Sequence, residues 1–371
     1  MLTHAQLMTL HRSLGGERVL TVYVDGTATD PAIQRAWRVQ LDHGLKDVRT
    51  WLADASHDER ESFERCGRLL EGELASFTAG VGAPGWVAFI TPDGTVEAHQ
   101  LPLSVPTLAV WSTGACVAPY MRALKEARPV VVAIVDARKA DLYRYRVGKL
   151  DRIETVRAHR SVERASHMGA PPRQGFHSGT RGVSGQDAAQ RTLLDGRDHM
   201  LADAAARISE MAGVDGWVLL GGIRRVVVAL SQHLEPIADE RVLQLDSLDV
   251  HASEADIVKT ARDGASALNV ARDAKRIAAI VDQACAHGLA TLGPADTRAA
   301  LEQASVRELY LTHRYLEDHA ADAESAVRAA LDQDASVEEV SGSAAERLDE
   351  HGGIAAGLRF RPAAIEDTVG V

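Results

Sequence analysis

Residues 184–186 read Ser-Gly-Gln, inside a stretch that carries six arginines between Arg157 and Arg191. Two chemistries suit these residue types. The run Gly182-Val183-Ser184-Gly185-Gln186 comes close to the sharp turn that exposes a hydrolase serine. Its final glycine is missing, and Ser184 follows a polar stretch instead of a strand, so a hydrolase nucleophile is rejected. Ser184 three residues before Asp187 resembles a capping box, in which the hydroxyl satisfies backbone N–H groups of a helix's first turn. The arginines suggest the second chemistry. Arg157, Arg160, Arg164, Arg173 and Arg181, with His177, are candidates for contacts to nucleic-acid phosphates.

Metal chemistry finds little support. His159, His167 and His177 lack ligand spacing and a partnering acidic cluster, so neither a metal nor a cofactor is expected. Cys66, Cys116 and Cys285 are widely separated and odd in number, which reads as three buried thiols in a reducing cytoplasm. Gly221-Gly222 sits between strand and helix, where phosphates often bind. A tight strand-to-helix turn is the plainer reading.

The elements that must position these residues are legible as α/β. "RVLTVYVDG" predicts a strand over 18–26, and helices follow over 31–53 and 57–77. Residues 85–101 read as a hairpin around Pro92-Asp93-Gly94. From Pro129, three short strands with turns at 137–139 and 148–149 form a meander. Residues 157–186 follow as a loop, longer than a compact domain usually carries without a function. Then come a helix over 187–211, a buried strand over 216–222, a helix over 223–234 and a strand over 241–250. A long helix to about His287 has Ser253 as its N-cap candidate. The rest alternates: helices over 293–304, 321–334 and 343–352, strands over 306–312, 336–340 and 353–360. Three domains are expected: 1–126, 127–262 with the loop, and 263–371 with the long linking helix.

Composition sets limits. Hydrophobic residues make up 46% and aromatics 4% of 371 residues, so a mostly aliphatic core is expected. No signal peptide is predicted, and the longest apolar run, near Val130–Val135, is too short to span a bilayer. A net charge of −11 disfavours non-specific nucleic-acid binding over the whole surface. The charge is uneven, however. Arg157–Arg191 carries +4, while His313 to the end holds 13 acidic residues against 5 arginines, or −8.

Here a resemblance enters. "GLATLGPADTRAALEQASVRELYLTHRYL" and "HGGIAAGLRFRP" look like the C-terminal domain of the archaeal and eukaryotic class-one release factors and Pelota. The meander, the basic loop, the helix and "GWVLLGG" resemble that family's middle domain, and the match in order covers roughly residues 129–362. The resemblance implies three α/β domains: the middle one has a mixed sheet and a long basic loop, and the last is a small α/β/α sandwich like the kink-turn RNA-binding ribosomal proteins. It places Ser184, Gly185 and Gln186 where the family carries Gly-Gly-Gln. That tripeptide approaches the peptidyl-tRNA ester, the glutamine helping to place the attacking water. Gly185 and Gln186 match and Ser184 does not. The eukaryotic factors read stop codons with an Asn-containing first-domain motif, and the only Asn here is Asn269.

The resemblance therefore implies a cytoplasmic protein that enters the ribosomal A site, among rRNA and tRNA, without reading stop codons. As a rescue peptidyl-tRNA hydrolase it would be similar to the hydrolase of ribosome quality control. As a non-catalytic hibernation factor it would be similar to Balon. A translational GTPase is the partner class implied for the acidic C-terminal domain. A free RNA-binding stress protein is the alternative from outside the family. The +4 segment predicts co-sedimentation with 70S particles or a subunit at low salt, lost as salt rises. A sucrose gradient of growing and starved cells checks this; protein left at the top in both states contradicts it.

Overall fold

The computed structural model describes residues 1–27, 36–76, 84–101, 103–146, 148–158, 185–234, 237 and 239–361, with residues 185–193 described by their backbone alone. The chain forms two compact units. The first joins residues 1–127 to 273–371, and the second is 128–272.

The first unit opens with α1 (His4–Leu14), which sequence periodicity missed. Its signal is local: Thr3 and Gln6 form a reciprocal capping box. β1 (Arg18–Asp25) follows, then α2 (Ala36–Trp51), α3 (His57–Ser76) and the hairpin β2 (Gly85–Ile90) with β3 (Val96–Leu101). β4 (Leu108–Thr113) and α4 (Ala118–Glu126) were not anticipated. The sheet runs β3-β2-β1-β4, with β1 antiparallel to both β2 and β4. One face packs on α2 and α3 through Leu41, Leu45, Phe63 and Leu70.

The second unit holds the predicted meander: β5 (Val130–Val135), β6 (Lys139–Arg146) and β7 (Lys149–Arg157). Then come α5 (Gly185–Ala212), β8 (Trp217–Gly222), α6 (Arg224–His233) and β9 (Val242–Gln244). The mixed sheet is ordered β7-β6-β5-β8-β9, with β8 parallel to both β5 and β9. β9 is shorter than the expected 241–250. The chain turns back beyond it so that the Leu248 carbonyl accepts the Gly222 N–H at 2.6 Å. Gly221-Gly222 is the tight turn that was read. Gly222 has φ +109°, and a Cβ there would collide with the Val135 carbonyl. Asp141 on β6 is buried and accepts from Lys139 at 2.6 Å, from Thr155 at 2.7 Å and from Arg152. Burial pushes its carboxyl up, but these hydrogen bonds outweigh that and hold it below its ordinary value.

α7 (Glu254–Cys285) begins in the second unit and ends in the first. Ser253 caps it as expected: its hydroxyl accepts from Asp256 N–H at 3.2 Å and donates to that carboxylate at 2.6 Å. Cys285, expected buried, is exposed on the last residue of α7, whereas Cys66 and Cys116 are buried. The first unit then continues with β10 (Ala290–Leu292), α8 (Pro294–Glu302), β11 (Val306–Thr312), α9 (His313–Asp318), α10 (Ala320–Asp332), β12 (Ser336–Val340), α11 (Ser343–Asp349) and β13 (Ile354–Leu358). Its sheet is mixed, ordered β10-β13-β11-β12, with only the β11–β12 pair parallel. One core runs from Leu7, Tyr23 and Tyr120 to Leu309, Val327 and Ile354, so the N-terminal and C-terminal parts of this unit share it. Aromatics are few, yet Trp217, Tyr23, Tyr120 and Tyr310 are among the largest fully buried side chains. A buried ion pair fixes register beside that core. Lys125 on α4 donates to both Asp273 oxygens, at 2.9 and 2.6 Å, and to the Glu339 carbonyl at 2.5 Å. Asp273 also accepts from the Ser341 N–H and hydroxyl, at 3.0 and 3.1 Å.

Gly222→Ala should lower unfolding stability by at least about 2 kcal/mol, since the alanine meets both positive φ and backbone. Gly72→Ala, in α3 with nothing near its would-be Cβ, should raise stability by up to about 1 kcal/mol. Urea unfolding by circular dichroism separates the two. Asp141→Asn should cost about 1–3 kcal/mol at pH 7. A depressed carboxyl contributes above its unfolded-state pKa of about 3.9 and loses that contribution as pH falls through the folded value. The gap to wild type should therefore narrow as pH falls below about 3.9, by the same measurement.

Candidate functional site

The sequence-predicted site lies in the second unit, and its geometry is set by how α5 packs. Met200, Leu201, Ala204, Ala205, Ile208 and Ala212 are buried against Val131 and Ala133 of β5, Leu142 of β6 and Val218 and Leu220 of β8. Their spacing is a helical stripe. Small alanines in it let helix and sheet approach closely. Toward the N-terminus the burial stops. His199 and Asp198 are exposed, and Leu194 is 43% exposed despite its apolar side chain.

The helix nevertheless continues to Gly185. Gly185 and Gln186 were expected to end the loop, with the helix starting at Asp187; instead both lie in the first turn of α5. From Gln186 to Met200, which is buried, the helix rises by about 20 Å at about 1.5 Å per residue. The backbone of Gly185-Gln186 thus forms the first turn of an arm of that length along α5. Helix N-termini present unpaired N–H groups and partial positive charge, which suits an approaching anionic oxygen.

Ser184, Arg160, Arg164, Arg173, Arg181 and His177 lie outside the described residues. Arg157 is described: it is the exposed last residue of β7, opposite Lys139. Ala158 follows, anchored by its N–H to the Arg138 carbonyl at 2.9 Å. The described strand therefore ends at Ala158 beside Arg138, Lys139 and Arg157, a cationic corner that sequence reasoning did not assemble. The pairing register of β6 and β7 brings it together. Arg144, Arg146, Lys149 and Arg152 add positive charge to the same two strands, against Asp141, Asp151 and Glu154.

Other chemistry is sparse here. Among the described residues no group of three or more His, Cys, Asp or Glu is placed to hold a metal ion. No described helix is long and apolar enough to cross a membrane. The strongly shifted thiols, Cys66 and Cys116, are pushed up by burial and belong to the first unit. A thiol so shifted is a poor nucleophile.

Comparison with known proteins bears on this same region. The model of bacterial archaeo-eukaryotic release factor family 10 matches residues 116–266. No curated protein matches the chain. Among solved structures, the chain is similar to Saccharomyces cerevisiae Dom34, a translation termination-like factor, at 10% identity over 76% of this chain and 81% of that one, with a TM-score of 0.48. Archaeoglobus fulgidus Pelota aligns at 14% identity, over 75% and 79% of the two chains, with a TM-score of 0.35. The archaeal termination factor aRF1 aligns over 97% and 99% at 14% identity, with a TM-score of 0.27. The family match runs over the stretch of sequence that holds α4, β5 to β9 and α5, so what the chain shares with that release factor family is shown for residues 116–266.

Proposed function

We propose that this protein acts at the ribosomal A site without reading a stop codon, as a rescue peptidyl-tRNA hydrolase. The observation that carries the reading is the arm. Gly185 and Gln186 form the first turn of α5, about 20 Å along the helix from buried Met200, within the region that matches the release factor family. An arm of about 20 Å suits a site that must be reached through a narrow space. The arginines that precede it in sequence suit a path walled by phosphates, each contact releasing counterions. Gln186 would place a water against the ester carbonyl, and backbone N–H groups at the helix start would stabilise the oxyanion. Arg157, Arg160, Arg164, Arg173, Arg181 and His177 would hold rRNA and tRNA phosphates. We assign the acidic C-terminal region a protein partner in place of RNA, with a translational GTPase as the class. The domains would be 1–126, 127–262 and 263–371, the long helix α7 linking the last two.

One residue favours a second reading. Ser184 stands where a glycine would let the backbone approach most closely, and its Cβ restricts that conformation. A protein of this kind that occupies idle ribosomes needs the arm and the arginines but not the cleavage.

The two readings separate by experiment on ribosomes carrying peptidyl-tRNA. Gln186→Ala should abolish peptide release and leave co-sedimentation unchanged, as expected for a group used only in the transition state. Arg173→Ala with Arg181→Ala should weaken co-sedimentation and reduce its salt dependence. Ser184→Gly should raise the release rate. If neither wild type nor Ser184→Gly releases peptide while both bind, hydrolysis is wrong and occupancy stands.

A further inference from the structure

A cavity of about 700 Å³ opens in the first unit, between β4 with the start of α4 and the α9–α10 pair. Leu108, Val110 and Pro119 form one wall, and Leu316 and Ala320 the other. The volume lies within the range that takes a small molecule, about 300–1,000 Å³, and so does the mostly apolar lining with a few convergent polar groups.

Those polar groups are not equivalent. Glu324 is already committed. It accepts the Val117 and Ala118 N–H groups at 3.3 and 3.4 Å and the Cys116 thiol at 3.2 Å, and so caps α4 from a different helix. Arg328 is held by the Thr113 carbonyl and lies 3.9 Å from Glu324. Glu339 is different. Its side chain is only 12% exposed, yet its nearest cations are His313 Nδ1 at 3.4 Å and Arg122 Nη1 at 3.9 Å. Both are beyond the normal N–H···O range. Each is also shared: His313 with Glu317 at 3.2 Å, and Arg122 with Glu126 at 3.3 Å. Three carboxylates thus compete for one arginine and one histidine at this end of the cavity. Among the described residues Glu339 has no donor within the normal hydrogen-bond range, and its partial burial holds the carboxyl above the ordinary value.

We propose that this cavity binds a small amphipathic amine, its ammonium donating to Glu339 and its apolar body lying between Leu108 and Val110 on one side and Leu316 and Ala320 on the other. An ammonium supplies the close donors that Glu339 lacks, and its charge offsets the local acidic excess. A carboxylate or phosphate ligand would face Glu317 and Glu339 instead. The site is separate from the arm of α5 and does not depend on the activity proposed for it.

The test is calorimetric titration of the full chain at pH 7 with 2-phenylethylamine, using 2-phenylethanol and 3-phenylpropanoate as neutral and anionic counterparts of similar shape. The amine should bind about tenfold or more tightly than the alcohol, as one charge-assisted hydrogen bond in a desolvated site predicts. The propanoate should bind more weakly than either. This ranking is read on the unmutated protein and needs no variant. Glu339→Gln should bring the amine down to the affinity of the alcohol, and Ala320→Trp, by filling the space, should remove binding of both. An amine that binds no better than the alcohol or the propanoate overturns the proposal, as does a preference that survives in folded Glu339→Gln.

Discussion

The middle unit depends on where α5 stops being buried. Its C-terminal half fills the apolar face of β5, β6 and β8, and each residue from Met200 to Ala212 on that face loses water on folding. Before it, the described residues from Leu194 to His199 are exposed or half-buried. The sequence at the helix start, Gly-Gln-Asp-Ala-Ala-Gln-Arg, offers little to bury. An isolated helix of that length is marginal in water, because nucleation is costly and only propagation is favourable. The arm is helical because the packed half has already met the nucleation cost. The first turn of the helix, which carries the proposed Gly185-Gln186 site, is thereby specified by a core interaction about 20 Å further along it.

How much of this was legible follows from which signals are local. The tight Gly221-Gly222 turn, the Ser253 cap, Pro294 at the start of α8 and the meander's turns all sit within a few residues of what they specify, and the structure carries each. Helix starts are less sharp, so Gly185 and Gln186 fell on the loop side of a boundary that lies two residues earlier. β4 and α4 escaped because their apolar faces are defined by partners distant in sequence, whereas α1 carries a local signal in its Thr3–Gln6 capping box. The Tyr120 hydroxyl of α4, for example, accepts the Leu2 N–H. The exposure of Cys285 was illegible for the same reason: burial is decided by which neighbours the fold brings to a helix end. At the candidate site the tripeptide and Arg157 could be picked out by letters alone, but the corner of Arg138, Lys139 and Arg157 requires the strand register.

In the first unit, charge does what an apolar core cannot. Hydrophobic burial is non-directional, and a single core shared by the N-terminal and C-terminal parts would tolerate several registers. The pair Lys125–Asp273 tolerates one. A buried ion pair gains little net stability over apolar residues of the same size, while a register that separates the partners leaves two uncompensated charges. Each oxygen of Asp273 has a donor, and the lysine reaches a carbonyl as well, so the pair is satisfied only when α4, α7 and β12 meet as they do. Glu324 fixes a fourth element in the same way by capping α4 from α10.

The uneven charge along the sequence has a consequence for any polyanionic partner. A uniform −11 would repel RNA from every side, and the Debye length of about 8 Å at physiological salt would confine attraction to close range. Concentrating +4 in one segment and −8 in another makes the interaction a torque as well as a force. A polyanion such as RNA would attract the residues that precede α5 and repel those beyond His313. The basic segment abuts Gly185 in sequence, so the attraction acts close to the residues that would have to arrive first. The acidic end would need no specific repulsive contact to stay away from such a partner: its charge alone would disfavour the phosphates that suit the arginines.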